Sequence, residues 1–511
     1  MPTISRLRTA TRVALLSTTA LVALPSASFA VDYVIDDATE DTVILGLGTA
    51  DSLLLTTDED PGSISSVSPG VAVIDIADSI TVHMDSYIDG LEIGIEVEGE
   101  NTDLTGGIHN EGIIAGGTGE LDPELDAGFG LRVSTGADIS GGVENSGLVT
   151  GDIAGIGISG TFVTGNTTAE GTTGGYYSGG AISGGIENSG LIAGEDFGGI
   201  VAYNGGSISG GIVNGEDGEI GGALAGIVVF AGGDIAGSTG GEVAGIDNDG
   251  IIAGYGVGIA SIGASPDLVI GETGFTFHTS HFAQPNRFGA DISGGINNTG
   301  TIFGEFAAIA TAIDGDISGG IVNGEDGYIG VDTEDGFDQS EVGIISLGNS
   351  DISGEIRNAG VIFGEYASIG SAAGGDISGG IVNEADGLIG LAVVGTGSSS
   401  NDIISEYGIG AVYAGAISGG ITNSGAIFGE DVAIFAASGS MIGGIVNNEG
   451  GTIGEAGDDE EDISRHGIGI VQGSILSSHA SIPRIISTSS SGIGLTYDAP
   501  TDTSGAAVGI T

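Results

Sequence analysis

The sequence predicts an all-β protein, a parallel β-helix with about 25 residues per coil, a two-coil super-repeat and loop insertions. Three observations carry that reading. The phrase Ile-Ser-Gly-Gly-Ile-x-Asn-x-Gly-x-Ile-x-Gly reads cleanly at Ile182–Gly194, Ile292–Gly304 and Ile417–Gly429, with a close variant at Ile352–Gly364. Its apolar residues fall at every second position, the period of a strand. The chain also holds 104 glycines in 511 residues. Each glycine costs roughly 1 kcal/mol against alanine inside a helix, whereas glycine permits sharp corners between short strands.

Counted from Asn298, Ile292, Gly294, Ile296, Gly300, Ile302 and Gly304 sit at even offsets. The asparagine therefore shares the parity of the core isoleucines. It recurs at Asn188, Asn214, Asn248, Asn298, Asn323, Asn358, Asn383, Asn423 and Asn447, with worn copies of the phrase around Asn110 and Asn145. An inward amide needs hydrogen-bond partners. Either the same amide one coil away supplies them, forming a ladder, or the asparagine adopts a left-handed corner. Both roles are structural.

Two coil types alternate. Type A continues Asn-x-Gly-x-Ile, as at Asn298; type B continues Asn-x-x-x-Gly-x-Ile-Gly, as at Asn323. From A to the following B the asparagines lie 26, 25, 25 and 24 residues apart. The 50 residues from Asn248 to Asn298 are expected to hide a degraded B coil. The period predicts about 16 coils, roughly 4.8 Å apart.

Along the chain, Arg6, Arg8 and Arg12 precede the apolar run Val13–Leu24 and the small-residue ending Ser28-Phe29-Ala30. Residues 1–30 therefore read as a secretory signal peptide. Residues 31–101 form an N-terminal cap and the first coils. Residues 102–470 form the repetitive β-helix, and residues 471–511 a last coil and Ser/Thr-rich tail. Beyond the signal, 5 arginines face 69 acidic residues, a net charge of 5 − 69 = −64. That balance excludes nucleic acid as a partner, which needs a basic footprint, and suits solubility, divalent cations or a saline habitat. There is no cysteine, so no disulfide staples the fold.

Insertions are where a solenoid carries specific contacts. Val331–Glu341, Leu391–Glu406 and Glu455–Arg465 follow B coils at the same point, which places them on one edge. Asp332, Glu334, Asp335 and Asp338 in the first, and Asp458, Asp459, Glu460 and Asp462 in the last, form oxygen-rich sets of the kind that hold calcium. The alternative is a solvated acidic loop. The longest insertion, near Gly271–Ala290, gathers Phe275, Phe277, His278, His281, Phe282, Arg287 and Phe288. This set is the candidate partner-binding segment, for sugar or protein; the alternative is a loop folded over apolar coil surface. Phe303, Phe363 and Phe428 share one outward position in successive A coils and are expected to form an aromatic stripe. No catalytic residue or cofactor-binding motif is assigned.

The signal, the Gly/Asn/Ile-rich coils, the missing cysteine and the acidity together resemble the passenger region of a bacterial autotransporter, or a related β-helical surface adhesin. The resemblance covers roughly Leu104–Ile470. It implies a chain exported to the cell surface, the outer membrane or the medium, serving adhesion, aggregation or a cell-surface structural role. It also implies an outer-membrane translocator barrel as partner, and a host or neighbouring-cell surface, glycan or protein, as target. The last residues, Val508-Gly509-Ile510-Thr511, lack the terminal aromatic of such a barrel. Either the chain is a fragment or it reaches the surface by another route. The competing class is a secreted carbohydrate-active enzyme, a lyase or glycosidase on a β-helix. The sequence leans away from an enzyme: it contains no lysine, although glycosidases need only two placed carboxylates.

Overall fold

A computed structural model describes residues 32–35, 38–39, 43–45, 51–55, 63–66, 70–73, 76–117, 128–163, 167–168, 171–172, 176–238, 244–263, 269–271, 274–276, 289–331, 339–394, 401–454, 466–470 and 475–476. Among these, every element is a strand. The chain divides into two units, residues 1–200 with 204–210 and residues 201–203 with 211–511.

In the first unit a coil is three strands separated by corners. Asp103–Asn110, Ile113–Gly116 and Phe129–Ser134 make one such coil, which gives the helix a first, second and third face. Each strand pairs in parallel with its counterpart in the next coil, for example Asn110 with Asn145, Ile114 with Val149 and Leu131 with Ile156. Six coils stack this way, beginning with Asp32–Ile35 on Asp51–Leu55. Coiling therefore starts before the repeated phrase does. The column that later carries asparagine holds Leu55 and then Val82 in the earlier coils, both fully buried.

The second unit contains eight coils, from Ile212–Asn214 to Ile445–Asn447 on the first face. The coil Ile296–Asn298, Thr301–Gly304, Ala307–Ala312 is representative. Isoleucine fills one inward position per face. Ile296, Ile302 and Ile309 are at most 2% exposed, and their in-register neighbours Ile321, Ile329 and Ile344 are fully buried. β-Branched side chains suit this packing, and each buried one contributes about 1.5–3 kcal/mol against exposure.

The all-β parallel helix and its period-two parity are as the sequence predicts. Two expectations are corrected. Ile246–Asn248 pairs directly with Ile296–Asn298, so no coil hides between Asn248 and Asn298. The described residues make six and eight coils rather than about 16, because residue spacing counts chain length while insertions add length without adding coils.

Candidate functional site

The asparagines form an interior ladder. In the first unit Asn110 Nδ2 donates to Asn145 Oδ1 at 2.7 Å, and Asn145 Nδ2 to Asn188 Oδ1 at 2.7 Å. In the second unit the series runs unbroken from Asn214 to Asn248, Asn298, Asn323, Asn358, Asn383, Asn423 and Asn447, every step 2.7–2.9 Å. All are at most 9% exposed. The left-handed-corner alternative falls away: the asparagines with positive φ among the described residues are Asn101, Asn204 and Asn349, none of them in the ladder.

The ladder also explains the two coil types. In type A the amide closes onto its own turn two residues on, as Asn298 Nδ2 to the Gly300 carbonyl at 3.1 Å. In type B it closes four residues on, as Asn323 Nδ2 to the Gly327 carbonyl at 3.0 Å. The two additional residues, Glu325 and Asp326 in that coil, are expelled to solvent. Both turns present the same amide to the next coil. Ladder partners lie 24 to 50 residues apart in sequence, yet their register does not slip.

A second column lies outside the core, and the sequence reading missed it. The phrase is one residue longer than it first reads: Asp-Ile-Ser stands at Asp138, Asp291, Asp316, Asp351 and Asp376. The serine of one coil caps the aspartate of the coil before. Ser140 Oγ donates to Asp103 Oδ1 at 2.7 Å and Ser183 Oγ to Asp138 Oδ2 at 2.7 Å in the first unit. In the second unit Ser293 Oγ donates to Asp234 at 2.9 Å, Ser318 to Asp291 at 2.8 Å, Ser378 to Asp351 at 2.7 Å and Ser418 to Asp376 at 2.8 Å. Asp316 instead accepts the Asp351 backbone N–H at 2.7 Å. Five carboxylates thus follow one another on consecutive coils. Burial pushes the Asp316 carboxyl up, and Asp291, Asp351 and Asp314 push it further. Burial likewise raises Asp234, with Asp291 adding to the rise and the Ser293 bonds opposing it. At the corner between the second and third faces glutamates also recur, staggered over two adjacent columns, Glu305, Glu365 and Glu430 in one and Glu341 and Glu406 in the other.

The insertion edge is as expected in register. Gly330 and Gly390 flank the Phe363 strand through the pairs Ile329–Ile362 and Ile362–Ile389, and Gly454 follows Ile453, which pairs with Ile427. Gly330 has φ +90°, and a Cβ there would lie 1.9 Å from the Phe363 carbonyl oxygen, so only glycine allows the chain to leave the coil at this point. One insertion is visible as an antiparallel hairpin, Leu391–Val394 against Asn401–Ile404. It packs over Phe363, which is 1% exposed and clusters with Val331, Ala392, Val361 and Ile403. This corrects the stripe: Phe303 and Phe428 are half-buried while Phe363 is covered.

The calcium candidates Asp332, Glu334, Asp335, Asp338, Asp458, Asp459, Glu460 and Asp462 lie outside the described residues. So do Phe277, His278, His281, Phe282, Arg287 and Phe288; Phe275 is placed only as backbone, in the hairpin Val269–Gly271 with Gly274–Thr276. The signal segment also lies outside them. Among the described residues no group of three or more histidines and carboxylates is placed to hold a metal ion, and no helix is long and apolar enough to cross a membrane. Sequence reading also missed two surface pairs, His83 with Glu111 at 3.2 Å and His109 with Glu144 at 2.7 Å. Histidines facing carboxylates one coil away are invisible until the register is known.

The sequence matches no protein-family model and no curated protein.

Proposed function

We propose that this chain is a non-enzymatic, exported β-helical passenger that acts at the cell surface in adhesion, aggregation or surface structure. It would be carried there by an outer-membrane translocator barrel, as the resemblance to autotransporter passengers implies. The observation that carries this reading is the repetition of outward chemistry. The Asp–Ser column offers a carboxylate on five consecutive coils of the second unit, and glutamates recur at the opposite end of the third face. Identical weak contacts at fixed spacing sum to strong attachment, whereas catalysis needs one unlike constellation at one place.

The test uses the full chain on beads and counts their attachment to cells, with in-register removal of two coils between Asn298 and Asn358. Attachment is expected to fall in proportion to the coils lost. Abrupt loss on changing a single carboxylate pair, together with hydrolysis of a neutral glycan, would instead establish the secreted carbohydrate-active enzyme.

A further inference from the structure

We propose that Asn204-Gly205 is a covalent modification site, at which water converts the Asn204 amide to a carboxylate through a succinimide, and that the interior ladder spares the same dipeptide elsewhere. The inference goes beyond the adhesive reading and does not rest on it. Asn-Gly occurs three times in the chain, at Asn204, Asn214 and Asn323. In this dipeptide the backbone nitrogen after the asparagine is least shielded, because glycine has no Cβ. The three copies share one chemistry and differ in what the fold does to it.

The reaction is intramolecular. The Gly205 nitrogen gives up its proton and attacks Asn204 Cγ, forming a C–N bond. The Cγ–Nδ2 bond breaks, and the amide nitrogen leaves as ammonia with that proton. The five-membered ring then takes up a water at either carbonyl, leaving aspartate or isoaspartate. Ring closure is favoured because the two reacting atoms are already tethered. The rate is governed by whether both are free to meet, or must wait for a local opening of the fold.

At Asn323 neither is free. Its Nδ2 donates to the Gly327 carbonyl at 3.0 Å, to Asn358 Oδ1 at 2.9 Å and to the Val361 carbonyl at 3.1 Å, while its Oδ1 accepts Asn298 Nδ2 at 2.8 Å. The attacking Gly324 N–H is itself donated to the Asn298 carbonyl at 2.7 Å. The Asn214 amide is held alike, by the Gly218 carbonyl at 3.0 Å, Asn248 Oδ1 at 2.8 Å and the Ile251 carbonyl at 3.1 Å. Both asparagines are fully buried.

Asn204 and Gly205 stand at a corner after the strand Gly198–Tyr203, with φ of +51° and +81°. Both are half-buried. Among the described residues neither the Asn204 side chain nor the Gly205 N–H makes a hydrogen bond. Nucleophile and electrophile are therefore untied here and tied in the ladder. Isoaspartate lengthens the backbone by a carbon. A corner between strands absorbs that change, whereas inside the ladder it would displace the amides from register.

The test holds the folded full chain and a urea-unfolded sample in mildly alkaline buffer and follows each asparagine by tandem mass spectrometry for the gain of a single mass unit. In the folded chain Asn204 should convert at least about tenfold faster than Asn214 or Asn323. In urea the three should convert alike. Gly205→Ala sets a Cβ beside the attacking nitrogen and should slow conversion of Asn204 at least about fivefold. The chain should still fold, because Ala414 holds a like corner position at φ +64°. The proposal is overturned by an Asn204 that stays intact in the folded chain while it converts in urea, by ladder asparagines that convert as fast as Asn204 in the folded chain, or by an unchanged rate in Gly205→Ala.

Discussion

In the second unit the asparagines from Asn214 to Asn447 and the aspartates from Asp234 to Asp376 each supply one side chain per coil. Their chemistry makes them opposites. An amide carries both donor and acceptor, so each asparagine satisfies the next, and the column is self-supporting inside the core. An ionised carboxylate only accepts, so the aspartates need a donor from the following coil, a serine or for Asp316 the Asp351 N–H, and Asp291 and Asp351 still repel Asp316. Stacking at coil spacing is neutral toward chemistry: it amplifies whatever the side chain does to its own copy. The coils before Asn110 add a third case, because Leu55 and Val82 hold the same interior position with no polar group at all. The amide column is thus a means of fixing register rather than a condition of coiling.

The largest effect should come from importing the outer chemistry into the inner column. Asn298→Asp buries a charge between two amides and should cost about 3–5 kcal/mol at neutral pH, read from denaturant melts. Asn298→Leu should cost less, about 2–4 kcal/mol, because it removes the bonds to Asn248, Asn323 and the Gly300 and Tyr328 carbonyls without burying a charge. If Asn298→Leu were harmless, as the native Leu55 is among aliphatic neighbours, the ladder would contribute no net stability.

Phe363→Ala tests the covered edge against the open one. Its cavity should cost about 2–4 kcal/mol and release the Leu391–Ile404 hairpin to limited proteolysis, while Phe428→Ala should leave that hairpin protected.

The smallest effect is on the aspartate column. Asp316 has a folded-state carboxyl raised above its ordinary value, so its charged form is penalised in the fold. That penalty is present at neutral pH and is relieved as pH falls through the raised pKa toward the ordinary carboxylate value. Mild acidification should therefore raise the melting temperature. Asp316→Asn should raise it at neutral pH by an amount worth about 0.5–1 kcal/mol, because an amide oxygen still accepts the Asp351 N–H.

Parity made the core and the ladder legible, since alternation over Ile296–Asn298 is a local property of a strand. Coil number was not legible between Asn248 and Asn298, where residue spacing records inserted chain rather than stacking. The aspartate column was obscured because its position holds Ala181 and Ala416 in two coils that otherwise carry the cleanest phrase. The fate of Phe363 depended on a hairpin from a different coil, which no local pattern encodes. Nor does sequence separate Gly330, held by a positive φ, from Gly410, a strand residue whose Cβ would meet nothing within 4 Å; only the fold distinguishes a corner from a strand.

The most direct test of the account is a pair of reciprocal charge exchanges, Asn298→Asp and Asp316→Asn, melted side by side at neutral pH and at about pH 5. The account predicts that Asn298→Asp melts lower than the parent at neutral pH and recovers on acidification. Asp316→Asn should melt higher at neutral pH and lose most of the gain the parent shows on acidification. A silent Asn298→Asp, or two variants that shift in the same direction at neutral pH, would contradict it.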